Sequence, residues 1–437
     1  MAEPLRESIL GHPLFPLAYL LFLIALGVLA LIGPLFWITV LFNIVLIYIA
    51  CFFMISFFDT TVTARPILQK WPMVSILIPA HNRGDSLRTC LNKVLEMEYP
   101  GKKEIFVMND ASTDHTRKIL AEFKGKGIHI IHNEKNKGKA RTLNETIPKT
   151  KGQFIAVMDG DSFPEKDILL KTIPRFYEKE NIGAVTTLVR VNNPDGILEQ
   201  IQELEYFLSF GIHNTVLSAH DGIYVTPGPF TVYTKEAMQK VGGYDEENIT
   251  EDMEITFHLH AAGYSVVLEP EARVYTDVPD TMYKLWRQRK RWSFGSWQTM
   301  FKYRADMFKP QKSFFTFFFP KRVLLEGSSV VFLFMILRMV LDMLGTFNEA
   351  FQSIAKIGFE VVSLPPWYLS SSATLYATLI LLWLGLMVLG IHISRASYRK
   401  MLSPALVLFL AVYGIFIITV QAYSLLRVII GRRQTWY

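Results

Sequence analysis

Residues 8–58 contain no Asp, Glu, Lys or Arg. A charge-free run of that length cannot form the surface of a water-soluble domain. A bilayer core of about 30 Å takes about 20 apolar helical residues. The run therefore predicts two membrane spans, at 14–32 and 35–57, with Gly33-Pro34 as the break. A cleaved leader is the alternative for the first span, but its apolar run is long and a second follows at once. Residues 61–312, by contrast, read as an ordinary soluble sequence. An insert of this size, roughly 250 residues, can bury one sizeable α/β core.

Beyond Lys312 the apolar character returns. The aromatic cluster Phe314-Phe315-Thr316-Phe317-Phe318-Phe319 is too short to span and is expected at the membrane interface. Three further spans are expected at 323–345, 373–393 and 404–426. The first carries Glu326, Arg338 and Asp342, charges that are costly at bilayer depth unless they pair or face a polar path. The domain plan is thus 1–60 (two spans), 61–312 (soluble domain), 313–322 (interfacial) and 323–437 (about three spans).

The loop with Arg395, Arg399 and Lys400 lacks acidic residues, which places it and the soluble domain in the cytoplasm. Arg427, Arg432 and Arg433 would then fall outside, so either the last helix is interfacial or one span is miscounted. The net charge of +6 follows from basic cytoplasmic loops, and nucleic acid is not an expected partner. Cys51 and Cys90 match neither a disulfide framework nor a zinc pattern.

Within the insert, short apolar runs at 73–78, 104–108, 128–131 and 154–158 alternate with helical stretches at 87–95, 116–123 and 139–147. That alternation predicts a mostly parallel sheet with helices on its faces. In such sheets ligands sit beyond the carboxyl ends of the strands. Those ends read Pro79-Ala80-His81-Asn82, Asn109-Asp110 and Asp159-Gly160-Asp161. Two Asp flanking a Gly can offer oxygen ligands to a hard divalent cation that completes its shell with phosphate; taken alone, the same triplet is equally a polar turn.

Asn136-Lys137-Gly138-Lys139 opens a helix, where free N–H groups and lysine favour phosphate. Thr250-Glu251-Asp252 precedes a helical run and could simply cap it. Residues 286–292, Trp-Arg-Gln-Arg-Lys-Arg-Trp, could be a basic face skimming the membrane.

Taken in order, Asp110, Asp159-Gly160-Asp161, Thr250-Glu251-Asp252 and Gln288-Arg289-Lys290-Arg291-Trp292 resemble the signature of the processive, membrane-embedded enzymes of glycosyltransferase family 2, which include cellulose, chitin, hyaluronan and poly-N-acetylglucosamine synthases. The resemblance covers roughly residues 72–297. It implies a Rossmann-like GT-A domain set between transmembrane helices in the cell membrane. It also implies a donor site in which Asp110 and the backbone at Pro79 hold uracil, Asn82 belongs to the substrate-binding set, Asp159 faces ribose or diphosphate, and Asp161 ligates Mg²⁺ or Mn²⁺, with Lys139 near the phosphates.

In the same reading Asp252 is the general base, with Glu251 also in the catalytic set and Thr250 in the substrate-binding set. Arg291 supports the leaving diphosphate, and Gln288 and Trp292 line the acceptor end. Gly228 and Pro229, in Pro227-Gly228-Pro229-Phe230, resemble an acceptor loop. The sequence departs from the pattern at Arg83, where many relatives have Glu, and at Asn109, where they have Asp.

The implied function is inverting transfer from a UDP-sugar, UDP-N-acetylglucosamine or UDP-glucose, to a growing β-linked polysaccharide with translocation. Membrane lipids are implied partners, and an accessory subunit is compatible with the sequence. The alternatives are single transfer to a lipid acceptor, or a non-catalytic membrane scaffold.

Overall fold

Strand β1 (Val74–Ala80) is buried along almost its whole length, so both of its faces need cover. Alternate side chains go to opposite layers. Val74, Ile76 and Ile78 join Leu87, Leu91 and Ile119, whereas Leu77 joins Leu143, Met238 and Tyr233 on the other side. A computed structural model describes residues 14–32, 47–58, 65–309, 314–357 and 371–431. Gly33, Pro34, Lys312, Arg432 and Arg433, with the side chain of Asp342, lie outside the described residues.

The remaining strands are β2 (Lys103–Asp110), β3 (Ile128–Asn133), β4 (Phe154–Val157), β5 (Ser162–Pro164), β6 (Ile182–Val191), β7 (Thr231–Thr234) and β8 (Ser265–Thr276). They form one sheet in the order β3-β2-β1-β4-β7-β6-β8-β5. The first four are parallel, as the alternation predicts. The other half is mixed: β7 runs antiparallel to β4 and β6, and β5 antiparallel to β8, while β6 and β8 are parallel. A short apolar run does not encode its direction; here the return from the helical segment Ile197–Ala219 sets it. The helices after β1, β2 and β3 are Gly84–Leu95, Thr116–Glu122 and Lys139–Thr146.

The core on the Leu77 face continues into the flanking helices, taking in Leu20 and Leu23 of Phe15–Ile32 and Val323 and Val330 of Phe319–Ile357. The aromatic cluster expected at the membrane interface packs into this core, where it meets the flanking helices. Phe314, Phe315 and Phe319 are almost fully buried against Phe257, and Phe314 stacks on His260 at 4.1 Å. Composition alone does not distinguish lipid from a protein interior as the partner of an aromatic run.

Among the described residues one helix, Pro404–Ile429, is long and apolar enough to cross a membrane. Pro16–Leu29, Ile47–Phe58 and Ile380–Ile393 are shorter apolar segments, and Phe319–Ile357 continues well past the expected 345. The basic loop after Ile393 rests on the soluble domain. Arg190 donates to the Ser394 carbonyl at 2.6 Å, Lys400 pairs with Glu203 at 2.7 Å, and Ser403 donates to Gln200 at 2.5 Å. The loop is thus joined to the domain by three polar contacts. Pro404–Ile429 also stays against the domain helix Met282–Lys302, through Phe416 and Tyr423 on Trp286, the Gln421 carbonyl on Trp297, and Ser424 on the Lys290 carbonyl.

Candidate active site

A cavity of about 860 Å³ opens at the carboxyl ends of β1 and β4 and runs to the flanking helices. Eleven of the residues singled out above line it: Lys139, Asp159, Asp161, Gly228, Pro229, Thr250, Glu251, Asp252, Gln288, Arg291 and Trp292. Pro79, Asn82 and Asp110 do not: Pro79 lies within β1, and the side chains of the other two are engaged elsewhere.

Asp110 is almost fully buried at the end of β2. It accepts from the backbone N–H of Lys137 (3.0 Å) and Gly138 (2.8 Å) and from Asn133 Nδ2 (2.8 Å). Two of the amides expected to be free for phosphate are thus satisfied internally, and Asp110 fixes the loop that launches Lys139. Asn82 has a left-handed backbone, φ 51°, and its Oδ1 accepts from Thr113 N at 2.8 Å, tying the β1 loop to the β2 loop.

At the strand ends three of the cavity's carboxylates face a cation. Lys139 Nζ lies 2.7 Å from Asp159 and 2.8 Å from Glu251, and Arg83 Nη1 lies 2.7 Å from Asp161 Oδ2. Burial raises the Asp159 carboxyl, but Lys139, helped by Arg83 and Arg291, outweighs it and holds the group low. For Asp161 burial prevails, aided by the charge of Asp159, and the carboxyl is raised despite Arg83. Burial would lower Lys139, yet Asp159, Glu251 and Asp252 raise it, so it stays charged. Asp252 is pushed up to about 6, by burial first and the neighbouring Glu251 second, against Lys139 and Arg291.

Asp159 is set by a backbone bond from its N–H to the Gly228 carbonyl, 3.0 Å. A Cβ on Gly228 would sit 2.5 Å from Asp159 Oδ2 and 3.0 Å from Lys139 Nζ, so only glycine lets this loop approach the pair. Phe230, next in the same loop, is fully buried and belongs to the core. The Asp252 backbone is held from behind: Thr226 and Thr256 hydroxyls donate to its carbonyl at 2.9 and 2.7 Å, and Tyr233 donates to Thr226 at 2.8 Å.

Thr250 borders the cavity, but its N–H and hydroxyl both turn to Asn248 Oδ1. It packs on Gly295, where a Cβ would meet Thr250 Oγ1 at 2.2 Å. That glycine was not identified from the sequence, although an isolated glycine inside a helical run signals a close approach. Gly295→Ala is expected to destabilise the protein by about 1–3 kcal/mol, the usual range for overpacking, read as a lowered Tm with lowered activity.

Arg289, not singled out either, is buried. It pairs with Glu205 at 2.5 Å, donates to Gln288 Oε1 at 2.8 Å and lies 4.1 Å from the Trp292 ring. Tyr413 of the last helix also donates to Glu205, at 2.8 Å.

Where the cavity meets the helices, Glu326 accepts from Ser296 at 2.8 Å and pairs with Arg322, whose guanidinium lies 3.8 Å from the Tyr224 ring. Glu326 Oε2, Arg322 Nε and Ser293 Oγ are buried there without hydrogen-bond partners among the described residues. Arg338, expected on the same path, donates to the Leu31 carbonyl and is not among the residues lining this cavity.

A half-parallel sheet whose strand ends present paired carboxylates and a lysine to an open cavity is a GT-A-type fold. The chain belongs to the glycosyltransferase-like family 2, whose family model matches residues 72–295, about half of the sequence. It is similar to poly-β-1,6-N-acetyl-D-glucosamine synthases: 34% identical to one from Staphylococcus epidermidis over 53% of this chain and 56% of the relative, and 31% identical to one from Staphylococcus aureus (strain MSSA476) over 55% and 58%. The matched part is thus a little over half the length of these relatives. In fold it resembles the mannosyltransferase PcManGT from Pyrobaculum calidifontis, solved with GDP-Man and Mn²⁺, at a TM-score of 0.60 and 17% identity, over 94% of this chain and all of that one.

Proposed function

We propose that the chain is an inverting membrane glycosyltransferase that moves a sugar from a UDP-sugar, UDP-N-acetylglucosamine or UDP-glucose, onto a growing β-linked polysaccharide. One observation carries this reading: a single cavity joins the carboxylates of the donor end to Asp252 and continues past Trp292 to Glu326 and Val420 among the flanking helices. The uracil and ribose lie toward Pro79, Asn82 and the loop anchored by Asp110. The synthases named above support the N-acetylglucosamine donor and the polymer product.

In the transfer an acceptor hydroxyl forms its bond to the anomeric carbon as the bond from that carbon to the diphosphate oxygen breaks. The hydroxyl proton passes to Asp252. Displacement from the opposite face inverts the anomeric centre. Arg291 and Lys139 stabilise negative charge on the leaving diphosphate.

Among the described residues no three His, Cys, Asp or Glu side chains converge to form a complete metal site. The two neighbouring carboxylates Asp159 and Asp161, each already facing a cation, fit an ion that takes its other ligands from the donor. Mg²⁺ or Mn²⁺ held by Asp161 would supply further charge neutralisation at the diphosphate.

The unpartnered Glu326 Oε2, Arg322 Nε and Ser293 Oγ offer both acceptors and donors, with the charges of Arg322 and Glu326 already balanced. That suits a neutral, hydroxyl-rich chain better than a lipid phosphate. Exposed Leu17, Leu21, Leu337, Leu341, Ile380 and Leu381 give the helices the apolar outer surface that lipid would cover, with the soluble domain on the cytoplasmic side. The contacts of Pro404–Ile429 along the domain favour an interfacial course for that helix, which accounts for Arg427.

The test is to incubate membranes bearing the full chain with labelled UDP-sugars and size the product. A high-mass ladder that EDTA abolishes and Mn²⁺ restores is expected. A single glycolipid product would replace the polymer reading with single transfer to lipid.

A further inference from the structure

The Arg83–Asp161 pair lies on the oxygen that the proposed cation would use. Arg83 precedes the helix Gly84–Leu95, with its own N–H and that of Gly84 both donated to Thr116 Oγ1 at 3.1 Å. Its backbone is therefore fixed, while the side chain is 44% exposed and borders the open cavity. A divalent cation on Asp161 Oδ2 would stand beside the guanidinium 2.7 Å away, and the repulsion between the two charges sets them in competition for that oxygen.

The charge balance of the donor end points the same way. Four carboxylates, Asp159, Asp161, Glu251 and Asp252, and three cations, Arg83, Lys139 and Arg291, line this part of the cavity. When all are ionised the net charge is 3 − 4 = −1. A dication entering with the diphosphate of a nucleotide leaves that balance nearly unchanged, whereas a dication entering alone reverses it to +1 and meets the charge of Arg83 beside Asp161.

We infer that Arg83 is a displaceable counter-ion that competes with the divalent cation for Asp161, so that the cation binds well only together with a nucleoside diphosphate, to whose phosphates the released guanidinium turns. This rests on the reading of Asp161 as the cation ligand. Arg83 is thus a positioning residue that couples two ligands. Coupling of this kind is reciprocal: the nucleotide tightens the cation by the same factor as the cation tightens the nucleotide.

The test uses the full chain in detergent or lipid discs, with Mn²⁺ titrated and free Mn²⁺ read by electron paramagnetic resonance, without and with UDP. In the parent protein UDP is expected to strengthen Mn²⁺ binding by about tenfold, within the usual range for coupled ligands. Arg83→Gln is expected to bind Mn²⁺ alone about fivefold more tightly, the scale of a partly exposed ion pair, and to lose most of the enhancement by UDP. Arg83→Lys should restore much of the coupling.

A merely structural role for Arg83 would weaken both ligands together and leave their coupling unchanged. If Arg83→Gln binds Mn²⁺ alone no better than the parent, the inference is wrong. Asp161→Asn separates the two levels: it should lose Mn²⁺ with and without UDP, and undiminished Mn²⁺ binding in that variant would overturn the ligand assignment and the inference with it.

Discussion

Replacing Asp252 by Asn is expected to lower kcat by about 10²- to 10⁴-fold, the range for loss of a positioned general base, while UDP binding stays near its original strength. The substitution keeps the size of the side chain and its contact to the Met253 N–H at 2.9 Å, so the loss reports the proton acceptor and not the packing. The pH profile gives an independent check. Burial and the charge of Glu251 raise the Asp252 carboxyl to about 6, and only the ionised form accepts a proton. As pH rises through that value kcat/KM should climb and then level off. Because Lys139 opposes the rise, Lys139→Gln should move the climb to higher pH as well as lower the rate. Initial rates across a pH series, with UDP affinity measured by calorimetry, check both. An Asp252→Asn protein that transfers sugar at the parent rate would remove Asp252 from the chemistry.

A single methyl group at Gly228 is expected to cost about 10²-fold in kcat/KM, the penalty of displacing a reacting array by about 1 Å. The added Cβ would stand 2.5 Å from Asp159 Oδ2 and 3.0 Å from Lys139 Nζ, so the loop or the ion pair must give way. Lys139 is also the partner of Glu251, so the shift reaches the residue next to Asp252. Thermal unfolding of Gly228→Ala should change little relative to activity, since the loop edges an open cavity. Comparison with Gly295→Ala, where the collision is with buried Thr250, separates damage to the site from damage to the core. Retention of full activity in Gly228→Ala would show that the Asp159–Lys139 geometry is not needed.

The first half of the domain was readable because each strand there is an apolar run closed by a polar loop and followed by a helix. β1, β2, β3 and β4 and their three helices fall within a few residues of the expected bounds. The motifs were readable as residue types in order: eleven of fourteen expected site residues line one cavity.

Roles within the motifs were less readable. Asp110 reads as a ligand-binding carboxylate, yet its oxygens are taken by backbone amides twenty-seven and twenty-eight residues further along the chain. Trp292 reads as a residue of the acceptor end, but its ring lies against Arg289, held by Glu205 and Tyr413 from two distant segments. The aromatic run at 314–319 reads as interfacial, and nothing in it records that Phe257 packs against it. In each case the deciding interaction joins residues far apart in sequence, and no local period or spacing records it.

The linear chain alone therefore settled which residue types end each strand, where charge is absent long enough for lipid, and hence the class of chemistry, because these follow from local composition and from periodicity along one element. Only the folded chain decided which oxygen faces which cation, that Arg83 and not solvent stands against Asp161, and that two glycines set the spacing of the site. Those depend on approach distances between elements, which are fixed when the layers pack and not before.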